Sequence, residues 1–330
     1  MTPTSPSVLH VNDCASTAAH LIQQAAREGM HWDFLPLADA TALGTGVPGA
    51  ARKGLAGMAW LGRLAAGSRS HDLVHVHSAG ILRHARFALR RYVLHCHGTD
   101  VRTQQYLPAW AGPVRTGLER AEAVFYSTPD LAQHVLPHRA DAAYLPVPID
   151  TGELPEWAPR PRPRVVFASR WGTDKGGPAQ LDVAAQVVAA VGGRAEVVGL
   201  DWGPLAPDAA AAGVQLIRPL PRAAYLELLA SAHAVVGQSA GILAASELEA
   251  LGSGAPLVMP VPLPLYAAAQ PPVLADSPSS AVEAVAALVA DTTPHDPSVG
   301  RAGVARVHGV ERSLSEVLET YGRVLARRAR

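Results

Sequence analysis

Cysteine is nearly absent from this chain: Cys14 and Cys96 are the two it has. Two thiols cannot staple a disulfide framework, and this usage fits a reducing compartment. An excess of either charge is also missing, because Lys+Arg 28 balance Asp+Glu 28. That argues against a dedicated nucleic-acid binder, which would be basic. No run of about 18 apolar residues occurs, so no membrane span is expected. Met1 to Ser7 carry neither a basic region nor an apolar one, so no export signal is read and a cytoplasmic protein is expected. The strand–loop–helix start, Val8 to Arg27, lacks the G-x-G-x-x-G of a dinucleotide site.

What is present is a globular composition, 48% hydrophobic and 17% charged over 330 residues. That length suits two cores better than one. Short apolar runs recur: Val8–Val11, Trp32–Leu37, Leu73–His77, Tyr92–His97 and Ala123–Tyr126. Alternating with helical stretches, they predict a parallel, doubly wound sheet. Residues 38–56, rich in Gly and Ala, read as a loop. Between Pro146 and Arg164 stand six prolines (146, 148, 155, 159, 161 and 163), too many for a helix or central strand, so a semi-rigid linker is expected there.

Beyond the linker the alternation restarts, with strands expected near 165–169, 195–199, 214–217, 233–237 and 256–259. Helices are expected near 178–191, 222–232 and 242–252. A second irregular stretch carries Pro260, Pro262, Pro264, Pro271 and Pro272. Ser280 with Glu283, and Ser313 with Glu316, read as capping boxes for two later helices. The tail Arg327–Arg330 reads as solvated. The fold class is therefore α/β, with two doubly wound Rossmann-like domains facing across a cleft. One spans 1–148, with the last helix, 313–330, packing back onto it. The other spans 149–312.

Val165 to Gly177 leads a strand into a loop with two cations five residues apart, Arg170 and Lys175, beside paired glycines. Such a loop sits at the carboxyl edge of a sheet, where α/β proteins bind ligands. A guanidinium and an ammonium there can grip a diphosphate from two sides. Glu247 and Glu249, two apart on a helix, point about 200° apart, so at most one faces a ligand directly. Glu247 is taken as the solvated one. The pairs His75/His77 and His95/His97 place alternate imidazoles on one strand face, a pattern that suits zinc. Without an assignable carboxylate they are read as sheet filler, and no metal is expected.

Leu248-Glu-Ala-Leu-Gly-Ser-Gly-Ala-Pro-Leu-Val258 resembles the LEAMASGxPVV signature of GT-B glycosyltransferases of the family 4 type. Arg170-x4-Lys175-Gly176 resembles their GRxxxxKG loop, Leu145–Asp150 their domain junction, and the His-x-His strand ends those of their acceptor domain. The resemblance implies a retaining, metal-independent transferase of cytoplasmic type. It would move a sugar from a nucleotide-diphosphate donor to a hydroxyl on a small-molecule, glycan or lipid-linked acceptor, with no cofactor. Arg170 and Lys175 would neutralise the leaving diphosphate, Glu249 accept the ribose hydroxyls, and His97 lie near the anomeric centre. Ser239, Gly241 and Ile242 would line the donor, as would Asn12 and Ser16 in place of the family's glycine-rich loop. Asp100, either a helix cap or an acceptor ligand, is grouped with Arg102 and Tyr106 as acceptor-binding. Two departures stand out: Gly241 occupies the first position of the family's E-x7-E, and the amino-terminal Gly-Gly pair is missing. Another GT-B enzyme, a nucleotide-sugar 2-epimerase or phosphorylase, or a non-catalytic nucleotide-sugar-binding protein, are the alternative readings.

Overall fold

A computed structural model describes residues 6–37, 46–269 and 273–327. The expectations for residues 38–45, for Pro271 and Pro272, and for the last three tail residues fall outside these. The chain divides into two compact units, Met1–Pro148 with Val310–Arg330, and Ile149–Gly309.

In unit 1 the strands are β1 (Val8–Val11), β2 (Asp33–Leu35), β3 (Leu73–His77), β4 (Tyr92–Cys96), β5 (Ala123–Tyr126) and β6 (Ala143–Tyr144). They form a parallel sheet of order β2-β1-β3-β4-β5-β6. Helices α1 (Thr17–Arg27), α2 (Gly46–Ser70), α3 (Leu82–Ala85), α4 (Thr99–Arg102), α5 (Pro108–Arg120) and α6 (Ala132–Val135) connect them. Burial on both faces explains why the central strands read as apolar runs interrupted only by histidine.

Side-chain alternation assigns each strand residue to a face. Leu9, Val11, Val74, Val76, Leu94 and Cys96 enter one core with Trp60 and Leu64 of α2 and with Val114 and Leu118 of α5. Val8, Leu73, Val93 and Phe125 enter the other, with Leu21 of α1 and the late-chain residues Leu314, Val317, Tyr321 and Val324. His10, His75, His77 and His95 have the parity of this second face, and all are fully buried.

Residues 46–56, expected to be loop, form the first part of α2. Their glycines hid the helix. Downstream, Trp60 and Leu64 lie one turn apart and are buried, and Trp60 Nε1 donates to the Pro36 carbonyl at 2.7 Å. Gly67 faces β1, where an added Cβ would meet Leu9 Cδ2 at 2.5 Å.

Unit 2 contains β7 (Arg164–Phe167), β8 (Glu196–Leu200), β9 (Gln215–Ile217), β10 (Ala234–Val236) and β11 (Leu257–Val258), in the parallel order β11-β10-β7-β8-β9. Its helices are α7 (Pro178–Val191), α8 (Ala206–Ala211), α9 (Arg222–Ala230), α10 (Ala245–Ser253), α11 (Pro278–Val289) and α12 (Pro297–His308). Val165, Phe167, Val183, Val187, Val197, Val236, Val285 and Leu288 form its core. The proline-rich stretch is not free-standing. Trp157 N donates to Ser253 O at 2.9 Å and its indole to Ala232 O at 2.7 Å, so the segment lies along unit 2.

Two capping expectations shift. Helix α11 begins three residues early, with Ser277 as the N-cap accepting from Ser280 N at 3.3 Å. Helix α13 (Val310–Ala326) begins before Ser313, which is buried inside it. In both, Ser-x-x-Glu spacing recurs inside a helix and cannot mark its first turn alone.

Helix α13 lies against α1 and the second face of the first sheet. Its Tyr321 hydroxyl bonds His75 Nδ1 at 2.6 Å, both groups fully buried. Tyr321→Phe keeps the ring and orphans that nitrogen, so it should cost about 1–3 kcal/mol. Urea unfolding checks this: the midpoint should fall, and an unchanged midpoint would refute the bond's contribution.

Candidate functional site

In an open parallel sheet, ligands bind at the carboxyl ends where the strand order reverses direction. In unit 2 that point lies between β7 and β10, and the loops following them are Ala168–Gly177 and Gly237–Ala244. The structure joins these loops. Ser239 N donates to Lys175 O at 3.2 Å, and an added Cβ on Gly176 would meet Ser239 Cβ at 2.5 Å. Gly176 and Gly177 have φ of 111° and 52°, values that favour glycine. Arg170, Lys175, Ser239, Gly241, Ile242 and Glu249 therefore all belong to one unit and, with the exception of helical Glu249, to its two crevice loops.

The charges there are unequally engaged. Arg170 pairs with Asp174 at 2.6 Å, both partly exposed, and its guanidinium lies 6.0 Å from the Trp202 ring centre. The Lys175 ammonium makes no ion pair among the described residues. Glu249 is buried and accepts from Arg222 Nη1 at 2.6 Å. Gly241 has φ of 69°.

Glu247 needs correction, because it is not a solvated helix residue. It is fully buried at the start of α10, accepting from Ser169 Oγ at 3.0 Å, Gln238 N at 3.2 Å and Ala244 N at 3.1 Å. The carboxylate ties the loop after β7 to both ends of the loop after β10. Gln180 does similar work from α7, accepting from Ser239 N at 2.7 Å and donating to Gly237 O at 3.2 Å. Sequence reading missed Gln180, Ser169 and Arg222. A lone polar residue in a helix carries no signal of the loop it will hold.

In unit 1 the order reverses between β1 and β3. Asn12, Ala15, Ser16 and Ser78, in the loops that follow, all have positive φ (67°, 54°, 56° and 101°) without being glycine. Strain of about 1–3 kcal/mol per residue persists where surroundings enforce it, and it concentrates at binding sites. Asn12 Nδ2 donates to His77 O at 2.8 Å, and Asn12 and Ser78 border a cavity of about 740 Å³. Met58, Trp60, Leu61, Ile81 and Trp110 give that cavity an apolar wall. The Gln104 Oε1 atom, buried and without a hydrogen-bond partner, belongs to a residue of the same wall. Ser16 stands at the start of α1 with no side-chain cap bond.

The three acceptor residues fare differently. Asp100 is buried, and its oxygens accept from the backbone N–H groups of Ala79, His97, Gly98 and Val101 at 2.8–3.3 Å. It is a loop clamp, which removes it as an acceptor ligand. Arg102 is paired with Asp130 at 2.7 Å, and exposed Tyr106 bonds His134 Nδ1 at 2.7 Å. None of the three lines the cavity, whereas Gln104 and Trp110 from the same stretch do.

His97, half-buried just past β4, joins a ladder of imidazoles. Register sets His10 beside His75 and His77 beside His95. His10 Nδ1 and His77 Nε2 are bonded at 3.0 Å, His77 Nδ1 and His97 Nε2 at 3.2 Å. Burial pushes His10 down to about 3 and His97 to about 4, the latter against an opposing pull from Asp100. His75, His77 and His95 are lowered for the same reason, with neighbouring imidazoles adding to it. Burial, with Asp100 and Asp13 adding, lifts Cys14 to about 12, so that thiol stays protonated.

No family model matches this chain, and neither does any curated protein. Solved structures do. A sucrose-phosphate synthase from Thermosynechococcus elongatus aligns over 98% of this chain and 100% of its own, at TM-score 0.65 and 13% identity. HepE from Anabaena, solved in complex with UDP, aligns over 96% and 99% at TM-score 0.66 and 12% identity. AviGT4, a glycosyltransferase involved in avilamycin A biosynthesis, aligns over 97% and 98% at TM-score 0.63 and 22% identity. The chain is similar to these in fold, and that fold is GT-B, as the motif resemblance implied. No helix among the described residues is long and apolar enough to cross a membrane.

The histidine ladder has a consequence for stability. A buried imidazole with a depressed pKa binds no proton at pH values where the unfolded chain, near 6.5, does. Its contribution is complete above about pH 6.5 and is lost as pH falls toward the folded values, about 4 for His97 and 3 for His10. Each fully unprotonated histidine removes about 1.4 kcal/mol per pH unit in that window. Urea midpoints at pH 7.5, 6 and 5 should fall steeply, and equal midpoints would contradict the burial.

Proposed function

We propose that the chain is a glycosyltransferase that moves a sugar from a nucleoside-diphosphate donor to a hydroxyl acceptor. The observation that carries this reading is the joined pair of loops at the reversal point of unit 2, holding an ammonium with no ion pair among the described residues beside a loosely held guanidinium. A diphosphate there meets Lys175 as a point charge and Arg170 as a bidentate donor. Arg170 must first exchange Asp174 for phosphate oxygens. That pair is 32% and 49% exposed, and surface pairs contribute only about 0–1 kcal/mol, so the exchange costs little. Charge develops on the diphosphate as the glycosidic bond breaks, and cations fixed in advance lower that barrier.

Glu249 accepts the ribose hydroxyls. A carboxylate offers about four lone-pair sites, so it can do this while bonded to Arg222. Where relatives of this signature carry a glutamate, Gly241 leaves backbone amides of Ala240 to Ile242 to meet the sugar. By the motif resemblance, His97 is the side chain assigned to the transferred sugar. With its pKa held at about 4 it is neutral at pH 7 and acts as a hydrogen-bonding group. The reaction proceeds with retention through a front-face displacement, in which the leaving phosphate takes the acceptor proton. HepE is described as binding UDP, which supports a uridine donor as the first to test.

The cavity of unit 1 is the acceptor site in this reading. Its wall of Trp60, Trp110, Met58 and Ile81 favours a small-molecule or lipid-linked acceptor with an apolar body, and Asn12 and Ser78 offer polar groups at one edge. A second reading has its own support: a putative UDP-N-acetylglucosamine 2-epimerase from Listeria monocytogenes shares the fold at TM-score 0.59. Isomerised nucleotide sugar formed without any acceptor would identify that chemistry.

A panel of nucleotide sugars with measured nucleotide release tests the proposal. Lys175→Ala and Arg170→Ala should each lower kcat on the order of 10²–10³-fold, the loss typical of one transition-state donor. Wild-type inactivity with every donor, or full activity in Lys175→Ala, would refute it.

A further inference from the structure

Of the five histidines on one face of the first sheet, the transferase reading uses His97 alone, and their arrangement as a cluster is left without a role. His77, His95 and His97 each present a ring nitrogen, and these three atoms lie within 4.8 Å of one another. His77 Nδ1 and His97 Nε2 stand 3.2 Å apart. Two imidazole nitrogens at about 2.0–2.1 Å from one tetrahedral zinc stand about 3.3 Å apart, so that spacing needs almost no adjustment.

We propose that His77, His95 and His97 form a binding site for a divalent transition-metal ion of the zinc class. Three imidazoles and an open fourth position for an oxygen ligand complete the coordination.

Four observations carry the site. His77 and His95 are paired on adjacent strands, and His97 is two residues beyond His95, so backbone register rather than a flexible loop sets two of the ligands. His77 uses its other nitrogen, Nε2, to bond His10 Nδ1 at 3.0 Å, which orients the ring as outer partners of metal-bound histidines do. His97 Nδ1 is buried with no hydrogen-bond partner, as are His10 Nε2 and His75 Nε2, so the face holds more imidazole nitrogens than its own hydrogen bonds satisfy. Nearby negative charge is available as well: the buried Asp100 carboxylate accepts from His97 N at 3.3 Å. That carboxylate supplies the counter-charge that the sequence alone could not assign.

A second triad, His10, His75 and His77, also has its ring nitrogens within 4.8 Å. It is fully buried, and His75 Nδ1 is engaged by Tyr321 at 2.6 Å. The outer triad is favoured because His97 is only half-buried, whereas every member of the inner triad is fully buried. Borderline metals suit imidazole sets, whereas magnesium and calcium require oxygen ligands.

The test uses the full chain without a histidine tag, titrated with Zn²⁺ and, as a spectroscopic probe, Co²⁺. One equivalent should bind, and X-ray absorption at the zinc edge of the wild-type complex should show three imidazoles. Losing an outer partner alone costs about 10–100-fold in affinity, so His97→Ala and His77→Asn should weaken binding at least about tenfold. His31→Asn, at an exposed histidine, should leave binding unchanged. The absorption measurement needs no variant, so the result stands even if His77→Asn misfolds. No stoichiometric binding, fewer than three imidazoles, or unchanged affinity in folded His97→Ala would overturn the site.

Discussion

Reversal of strand order is the constraint on which the rest of the structure depends. A parallel sheet uses its backbone donors and acceptors along the strands, and helices cover both faces, leaving only the strand ends for chemistry. Where winding changes direction, between β7 and β10 in unit 2 and between β1 and β3 in unit 1, adjacent loops depart to opposite faces and leave a crevice. Glycines at positive φ, buried Glu247 and buried Gln180 hold the unit 2 crevice in one shape. Strained Asn12 and Ser78 border the unit 1 crevice. The cations and the apolar wall are additions to these two geometries.

Much of this was legible in the chain because the signals are local. Apolar runs located the strands to within a residue or two, except the two-residue edge strand β6, which no run announced, and Arg170, Lys175 and the paired glycines marked their loop. The misreadings share one physical cause, which is dependence on a distant partner. Asp100 sits beside a glycine as a ligand would, yet backbone N–H groups on two loops consume its oxygens. Glu247 is bonded by Ser169, 78 residues away, as well as by the nearer amides of Gln238 and Ala244. Glycines masked the first turns of α2, whose tertiary packing through Trp60 and Leu64 overrides propensity.

The first sheet shows what one strand pattern can accomplish on two faces. Residues of one parity build an ordinary apolar core beneath α2 and α5, next to the cavity. Residues of the other parity begin apolar at the amino ends, with Val8, Leu73 and Val93, and turn to imidazole toward the carboxyl ends. Spacing of two along a strand was visible in the sequence. That three strands would align their histidines was not, because register is fixed by pairing and not by composition.

The account rests on a diphosphate bound at the β7/β10 reversal, and a crystal structure with uridine diphosphate tests that most directly. The account predicts phosphate oxygens within hydrogen-bond distance of Lys175 and Arg170, with Arg170 released from Asp174. A diphosphate bound elsewhere, with both cations turned away from it, would contradict the account.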